Sequence, residues 1–155
     1  MPHLVIEFIG LFLTGMLAGE EFVVRYGVRG PLAALDDPAH IRFRQGLIWT
    51  LRILVPAMFL PAFGVAIAAA VLDGAAAGIA YRLLGVAALT VWILTTLFGT
   101  VPINEAALDW SPDAPPANWT ALVDRWERLN TVRTWAAVVA FGSLLTAVAL
   151  RLSAN

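Results

Sequence analysis

The residues best suited to chemistry lie in the second half of the chain, around Asn104 and in the segment WTALVDRWERLNTVRTW. Trp126, Asn130 and Arg133 follow the spacing i, i+4, i+7, which places them on one face of a helix. An amide and a guanidinium can bind a phenolic or anionic oxygen, and an indole ring can cover a flat apolar body. With Asn104, these residues predict a pocket for a hydrophobic phenol or quinone. The alternative is that Asn104 caps a helix and the tryptophans anchor a membrane interface.

A carboxylate in the first apolar segment is the first candidate for a catalytic base. Glu7, Thr14, Glu21 and Arg25 share one helical face, with offsets of seven, seven and four. A charged side chain inside a membrane costs about 2.5–3.5 kcal/mol, so this face is expected to point into the protein. Glu21 could therefore accept a proton from a bound substrate; alternatively, it pairs with Arg25 one turn away.

The second apolar segment supplies a cation, an indole and a nearby imidazole. Gln45, Trp49 and Arg52 follow the spacing i, i+4, i+7. Arg52 lies about two turns inside the segment, where it could bind an anionic oxygen or pair with Glu21; alternatively, it extends to the interface. Trp49 is expected to line the pocket. His40 is a second candidate base, because histidine titrates near neutral pH.

Membrane helices are expected to position these residues, because the composition is that of a membrane protein. Of the 155 residues, 60% are hydrophobic and 14% are charged, and the mean hydropathy is +0.80. Soluble domains have about 45–50% apolar and about 25% charged residues. The chain is therefore predicted to be integral to a membrane. Its N-terminal segment lacks a basic region, which favours a first membrane span over a removable signal peptide.

Four apolar segments are long enough to cross a bilayer. They cover approximately residues 4–28, 45–72, 75–101 and 132–152, and about 20 helical residues cross a hydrocarbon core of about 30 Å. Backbone groups in lipid must pair internally, so each segment must be a helix. The predicted fold is all-α: a single integral membrane domain over residues 1–155, built as an antiparallel four-helix bundle.

The connections between the spans place the polar residues on one face of the membrane. A short turn, DGAAAG, joins the second and third spans, and two long connections join the others. Each long connection is predicted to contain a short interfacial helix, with Asp37 and Pro38 beginning the first and Asn118 the second. Pro102 is expected to end the third span, so that Asn104 turns back over the mouth of the bundle.

The distribution of arginine predicts the orientation of the chain in the membrane. Seven of the ten arginines lie at the face of the long connections, whereas Arg82 and Arg151 lie at the other face. Positive side chains are enriched on the cytoplasmic side of membranes. The long connections are therefore predicted to lie in the cytoplasm, with both termini outside the inner cell membrane and the lipid bilayer as the first partner.

Missing residue types argue against several classes of function. The sequence has no Cys and no Lys, which removes cysteine nucleophiles, thiolate metal sites and lysine Schiff bases. It has no basic stripe for nucleic acid, and two histidines are too few for a histidine-rich metal cage. No metal site is predicted, and the sequence points to no particular cofactor.

The stretch VPINEAALDW, followed by PPANWTALVDRWERLNTVRTWAAVVAFGSLL, resembles the signature half of the anthrone-oxygenase-like family of small four-span membrane proteins. The shared pattern is Val-Pro-x-Asn at the end of the third span, then Trp, then Arg-Trp-x-x-x-(His or Asn)-x-x-Arg leading into the fourth. GMLAGEEF in the first span also fits. The resemblance implies oxidation of anthrones to anthraquinones. Asn130 stands where many relatives are expected to have His, so a histidine base of theirs would be absent here.

Three classes of function follow from these observations. The first is a membrane-embedded oxygenase for a phenolic, anthrone-type or quinone-type substrate, which needs a base, donors for the enolate oxygen and a dry pocket. The second is a non-catalytic membrane subunit that binds a lipid, a quinone or a partner, with a homo-oligomer left open. The third is a haem or metal protein. For the oxygenase, the assigned residues are Glu21 or His40 as base, Arg52 and Arg133 as donors, Trp49 and Trp126 as pocket walls, and Asn104 and Asn130 as orienting amides.

Overall fold

The computed structural model describes residues 2–72 and 77–154, with side chains from residue 5 onward. Within these ranges the chain is helical, apart from short connections and an isolated β-bridge between Ser111 and Ala114. The all-α prediction is therefore confirmed for the described residues. The predicted turn at residues 73–78 lies largely outside them, since residues 73–76 are not described.

Six α-helices and two π-helical turns follow one another along the described chain. A π-helical turn is wider than an α-helical one, because its hydrogen bonds join residues five apart instead of four. The elements are α1 (Pro2–Val23), the first π turn (Val24–Val28), α2 (Arg29–Ala33), α3 (Asp37–Leu72), α4 (Ile79–Thr95), the second π turn (Thr96–Thr100), α5 (Val101–Leu108) and α6 (Trp119–Ser153).

Three helical stretches among the described residues are long and apolar enough to cross a membrane. They are Asp37–Leu72, Ile79–Leu108 and Trp119–Ser153, with 36, 30 and 35 residues. At about 1.5 Å per residue, the longest extends well beyond a hydrocarbon core of about 30 Å. These helices indicate an integral membrane protein. The helix starts predicted as separate interfacial helices are the first turns of α3 and α6. The first predicted span corresponds to α1, which is not among the three stretches.

The start of α3 differs by one residue from the sequence-based prediction. The backbone N–H of Ala39 donates to Oδ1 of Asp36 at 2.9 Å. Asp36 therefore caps the helix through the third residue that follows it, as N-cap side chains do. Asp37, predicted as the cap, is instead the first helical residue.

Pro102 does not end the third long helix, so this prediction was wrong. The helix continues to Leu108, and the second π turn lies directly before the proline. A proline inside an α-helix removes a hydrogen bond and its ring meets the carbonyl four residues earlier. The wider π turn relieves this conflict without breaking the helix. Asn104 consequently stays on a helical face instead of turning back over the bundle.

The long helices pack through one apolar core in the part of the chain that the structure describes. α1 contacts α3 and α6, and α4 contacts α6 and α3. In the centre of the core, the rings of Phe59 and Trp92 stack with their centroids 4.5 Å apart. The core is formed by apolar side chains of α1, α3, α4 and α6, including Leu17, Phe59, Leu89, Trp92, Ala137 and Ala140.

A second, smaller apolar cluster lies where α3, α5 and α6 meet the 109–118 connection. It contains Ile41, Ala107, Trp110 and Trp119. The side-chain amide of Gln45 donates to the carbonyls of Ala107 and Trp110, both at 3.0 Å. These bonds satisfy carbonyls at the end of α5, where a helix has no internal donors left. They fix α5 against α3 and hold the 109–118 connection in place.

Candidate functional site

A cavity of ≈ 480 Å³ lies between α1, α3, α6 and the continuous helix formed by α4, the second π turn and α5. Its volume is within the range of about 300–1,000 Å³ typical of ligand pockets. Most of its wall is apolar, with Phe59 and Trp92 on one side. Six of the eight residues predicted for the site line it: Glu21, Arg52, Asn104, Trp126, Asn130 and Arg133.

Glu21 is the most enclosed charged group of the cavity, with 1% of its surface exposed. Its Oε1 accepts hydrogen bonds from Nε1 of Trp92 at 2.9 Å and from Nη2 of Arg133. Arg133 also donates from Nη1 to the hydroxyl of Thr100 at 3.3 Å. Among the described residues, Oε2 of Glu21 has no hydrogen-bond partner. One oxygen of this carboxylate is therefore fixed, and the other is buried without a hydrogen-bond partner among the described residues.

The predicted partners of Glu21 were wrong. Arg25, one helical turn away, instead pairs with Glu127 at 3.1 Å. Arg52 is exposed, and its guanidinium carbon lies 3.4 Å from the ring centroid of Trp49. Stacking on an indole keeps the apolar part of an arginine covered while its charge stays near solvent or the interface. Arg52 lines the cavity but is exposed and does not pair with Glu21, because the opposing helix α6 supplies that partner.

Trp49 and His40 lie outside the cavity, in contrast to the roles predicted for them. Trp49 is 52% exposed and its ring carries Arg52. His40 lies in the first turn of α3, before the part predicted to cross the membrane, and packs edge-on against Trp119 with centroids 5.3 Å apart. His40 therefore packs against the smaller apolar cluster through Trp119.

Two amides bring unused hydrogen-bonding atoms to the cavity. Oδ1 of Asn104 and Nδ2 of Asn130 are buried and lack a partner among the described residues. Asn130 is only 1% exposed. Buried polar atoms nearly always have a hydrogen-bond partner, and each exception calls for an explanation. A ligand with both a donor and an acceptor oxygen would satisfy these two amides.

A cluster of charges at the loop-side end of the cavity was not assigned from the sequence. The carboxylate of Glu127 forms three ion pairs. Its Oε2 lies 3.1 Å from Nη1 of Arg25 and 3.3 Å from Nε of Arg29, and its Oε1 lies 3.9 Å from Nη2 of Arg44. Arg29, Arg44 and Glu127 all line the cavity. The available signal was the density of arginine on this face of the membrane. Helical periodicity cannot show that three separate arginines reach one carboxylate.

Glu20 is a second cavity carboxylate that the site prediction missed. It lines the cavity beside Glu21. Its Oε2 is buried without a hydrogen-bond partner among the described residues. The signal was present in the Glu-Glu pair of GMLAGEEF. Successive residues of a helix lie 100° apart, so periodicity placed Glu21 and not Glu20 on the shared face with Glu7 and Thr14.

Exposed lining residues indicate a lateral gap between α3 and the helix that contains the second π turn; Arg29 and Glu105, at the loop-side end, are also exposed. Lining residues on both edges of this gap are exposed: Arg52, Pro56 and Leu60 on α3, and Leu97 on the second π turn. Three of these four side chains are apolar. A gap with apolar edges on membrane-crossing helices would face lipid, so it offers a route for a hydrophobic molecule.

Within the described ranges, no group of three His, Asp or Glu side chains is placed to hold a metal ion. The polar groups among the residues that line the cavity are carboxylate, amide, indole, guanidinium and hydroxyl groups. They can accept a proton, donate hydrogen bonds to an oxygen and neutralise negative charge.

The comparison with protein families gives one match. The model of the family described as anthrone oxygenase matches residues 49–143, more than half of the chain. This stretch includes Asn104, Trp126, Asn130 and Arg133, whereas Glu21 and Arg44 precede it. No curated protein and no solved structure matches the chain.

Proposed function

The chain belongs to the anthrone oxygenase family, and on this premise we propose that it is a membrane-embedded oxygenase for a hydrophobic phenolic or anthrone-type molecule. The observation that carries the proposal is the mainly apolar cavity with unpartnered polar atoms on Glu21, Asn104 and Asn130. An apolar pocket with a few convergent polar groups is the usual form of a small-molecule site.

The reaction is the conversion of a methylene group beside two aromatic rings into a carbonyl. Removal of one methylene proton gives an enolate, which passes an electron to O2. Recombination forms a carbon-bound peroxide anion, and return of the proton gives the hydroperoxide. Loss of water from the hydroperoxide leaves the quinone carbonyl. One anthrone and one O2 give one anthraquinone and one H2O, so O2 is the oxidant and no other reductant is needed.

Glu21 is the proton acceptor in this proposal. Its Oε1 is held by Trp92 and Arg133, which leaves the unpartnered Oε2 for the methylene proton. Arg133 acts as a positioning residue, because its guanidinium is already bonded to Glu21 and Thr100. His40, the other predicted base, is too remote from the cavity lining to share this role.

The amides and an indole orient the substrate. The free Nδ2 of Asn130 donates to the enolate oxygen as negative charge develops there, and Oδ1 of Asn104 accepts from a phenolic hydroxyl. Trp126 supplies one aromatic wall. Arg52, stacked on Trp49 at the lateral opening, contributes positive charge along the entry route.

The proposed setting is a single domain in which α1 is the fourth membrane helix of an antiparallel four-helix bundle. The contacts of α1 with α3 and α6 support this arrangement. The arginine-rich long connections would lie in the cytoplasm. Cysteines placed one at a time in this cysteine-free chain, at residues 113 and 153, should react with an impermeant reagent from opposite sides of the inner membrane. Labelling from the same side would contradict the topology.

The enzymatic proposal is tested with detergent-purified protein, anthrone and O2. Quinone absorbance and O2 consumption should rise together above the rate in protein-free micelles, with one O2 used per anthrone. Glu21→Gln should lower kcat by about 10²–10⁴-fold, the usual contribution of a general base. Glu20→Gln is the matched control, since its carboxylate lies in the same cavity and is also unpartnered.

Three outcomes would contradict the proposal in different ways. A rate equal to that of empty micelles would remove the oxygenase function. Full activity of Glu21→Gln with loss in Glu20→Gln would move the base to Glu20. Binding of anthraquinone without any turnover of anthrone would favour the non-catalytic alternative, a membrane protein that carries a quinone.

A further inference from the structure

Arg44 is a buried cation whose hydrogen-bonding groups are not used by the protein. Its side chain is 5% exposed, and it lines the loop-side end of the cavity. No hydrogen bond joins its guanidinium to any described residue, and its Nε is buried without a partner. Its nearest carboxylate oxygen, Oε1 of Glu127, is 3.9 Å away. This separation is too long for a hydrogen bond.

Glu127 does not compensate for Arg44, because its charge is shared. Oε2 of Glu127 lies 3.1 Å from Arg25 and 3.3 Å from Arg29. Three guanidinium groups therefore share one carboxylate. A guanidinium has five N–H donors, and a buried charge is expected to be both paired and hydrogen-bonded. Arg44 has a carboxylate nearby but no hydrogen bond to a described residue.

Aromatic packing holds the guanidinium in place and exposes its edge to the cavity. The guanidinium carbon of Arg44 lies 4.9 Å from the ring centroid of Trp126, which lines the same cavity. Stacking covers the face of a guanidinium while leaving its N–H groups in the plane free to bond an oxygen. Such an arrangement suits a carboxylate, which accepts two parallel hydrogen bonds from one arginine.

We propose that Arg44 forms an anion subsite that binds an acidic oxygen of the ligand, foremost a carboxylate attached to a flat aromatic body. This assignment rests on the proposed function, since it places the aromatic body of the substrate in the same cavity. The reacting carbon lies towards Glu21, and the acidic substituent lies at the loop-side end against Arg44. The substrate class is thereby narrowed from neutral polycyclic phenols to acidic ones.

The test compares two binding probes that differ in charge and little else. Anthraquinone-2-carboxylate and 2-(hydroxymethyl)anthraquinone are titrated into the full-length protein in neutral detergent. Quenching of tryptophan fluorescence reports binding, because Trp92 and Trp126 line the cavity. The wild-type protein should bind the carboxylate roughly tenfold or more tightly than the alcohol, as hydrogen bonds to charged groups allow.

Arg44→Met should bring the two affinities within about twofold, mainly by weakening the carboxylate, since the methionine keeps apolar contact with the cavity but has no charge. Arg42→Met is the matched control. Arg42 lies on the same helix, but it is 61% exposed and contacts Asp113 at the surface. This variant should keep the full preference for the carboxylate.

Glu127→Gln provides a second test that does not depend on the folding of Arg44→Met. It removes the carboxylate that competes for Arg44 and leaves the guanidinium in place, so the affinity for the carboxylate probe should increase. A decrease would overturn the proposal. A wild-type protein that binds both probes equally, or an Arg44→Met variant that keeps the preference, would overturn it while leaving the oxygenase proposal intact. Failure to bind either probe would remove both.

An anionic lipid headgroup presents the same chemistry as an acidic substrate. Phosphatidylglycerol added to the micelles should leave the affinity for the carboxylate probe within about twofold, because the apolar body contributes much of the binding. Displacement of the probe by this lipid, with loss of the effect in Arg44→Met, would assign the subsite to a headgroup and overturn its assignment to the substrate.

Discussion

Replacing Arg133 with methionine should destabilise the protein far more than the same replacement at Arg52. Arg133 is bonded to Glu21 and Thr100, and its guanidinium carbon lies 4.6 Å from the ring centroid of Trp92. Arg52 is exposed and stacks on Trp49. The two arginines were equivalent candidates in the sequence, so the comparison tests the structure directly.

The loss in free energy of unfolding depends on the interactions that each substitution removes and on the groups that lose their partner. Without Arg133, Glu21 keeps one donor, Trp92, at a site where 1% of the residue is exposed. Removing one partner of a buried ion pair costs about 3–5 kcal/mol. Without Arg52, the loss is a stacking contact worth about 0.5–1 kcal/mol at an exposed position.

Unfolding by SDS in mixed micelles, followed by tryptophan fluorescence, measures these free energies. Glu21→Gln should be destabilising by itself, because it leaves Arg133 as the uncompensated charge. The double variant should cost less than the sum of the two single variants, by about 0.5–3 kcal/mol, as for residues in direct contact. Equal losses for Arg133→Met and Arg52→Met, or strict additivity of Glu21→Gln and Arg133→Met, would refute the assigned ion pair.

Three further substitutions probe the helix packing away from the cavity. Gly78→Ala should lower the free energy of unfolding by about 1–3 kcal/mol, because Gly78 has φ of 90° and an added Cβ would lie 2.9 Å from a backbone oxygen of α6. Gly142→Ala is the control: with open space around its Cα, it should be neutral or stabilising by up to about 1 kcal/mol. Equal melting temperatures for the two variants would contradict this expectation. Glu7→Gln should lower the melting temperature, because the carboxylate of Glu7 is buried and lies 3.0 Å from both Arg82 and Arg151. The affinity for anthraquinone probes should not change in this variant. A changed affinity would show that the ion pairs of Glu7 are energetically coupled to the cavity.

The sequence contained the information for the helices and for the faces that they bury. Hydropathy located the long helices because a bilayer-crossing segment needs a continuous apolar run. Periodicity placed Asn130 and Arg133 on one face, and both are buried at the cavity. The family resemblance is confirmed over residues 49–143. The helix positions and their buried faces depend on residues that are neighbours along one helix.

The features that could not be predicted depend on how two helices are rotated relative to each other. The choice between Arg52 and Arg133 as partner of Glu21 is of this kind, because both side chains border the same cavity. The same holds for Arg44 and Glu127, which are brought together by α3 and α6. The second π turn, before Pro102, changes which backbone groups are hydrogen-bonded to each other. The pattern of apolar residues is the same with or without this turn, so the pattern could not predict it.

The sideways opening between α3 and the second π turn changes what substrate concentration means for this protein. A molecule that enters through this gap is drawn from hydrocarbon, where a polycyclic phenol accumulates far above its level in water. The occupancy of the cavity then follows the mole fraction of substrate in the bilayer. At a fixed total amount of substrate, adding more lipid lowers the concentration of substrate within the bilayer. The fraction of protein molecules with an occupied cavity then falls. Under the proposed oxygenase function, the membrane would act as the solvent of the reaction and as the reservoir that supplies its substrate.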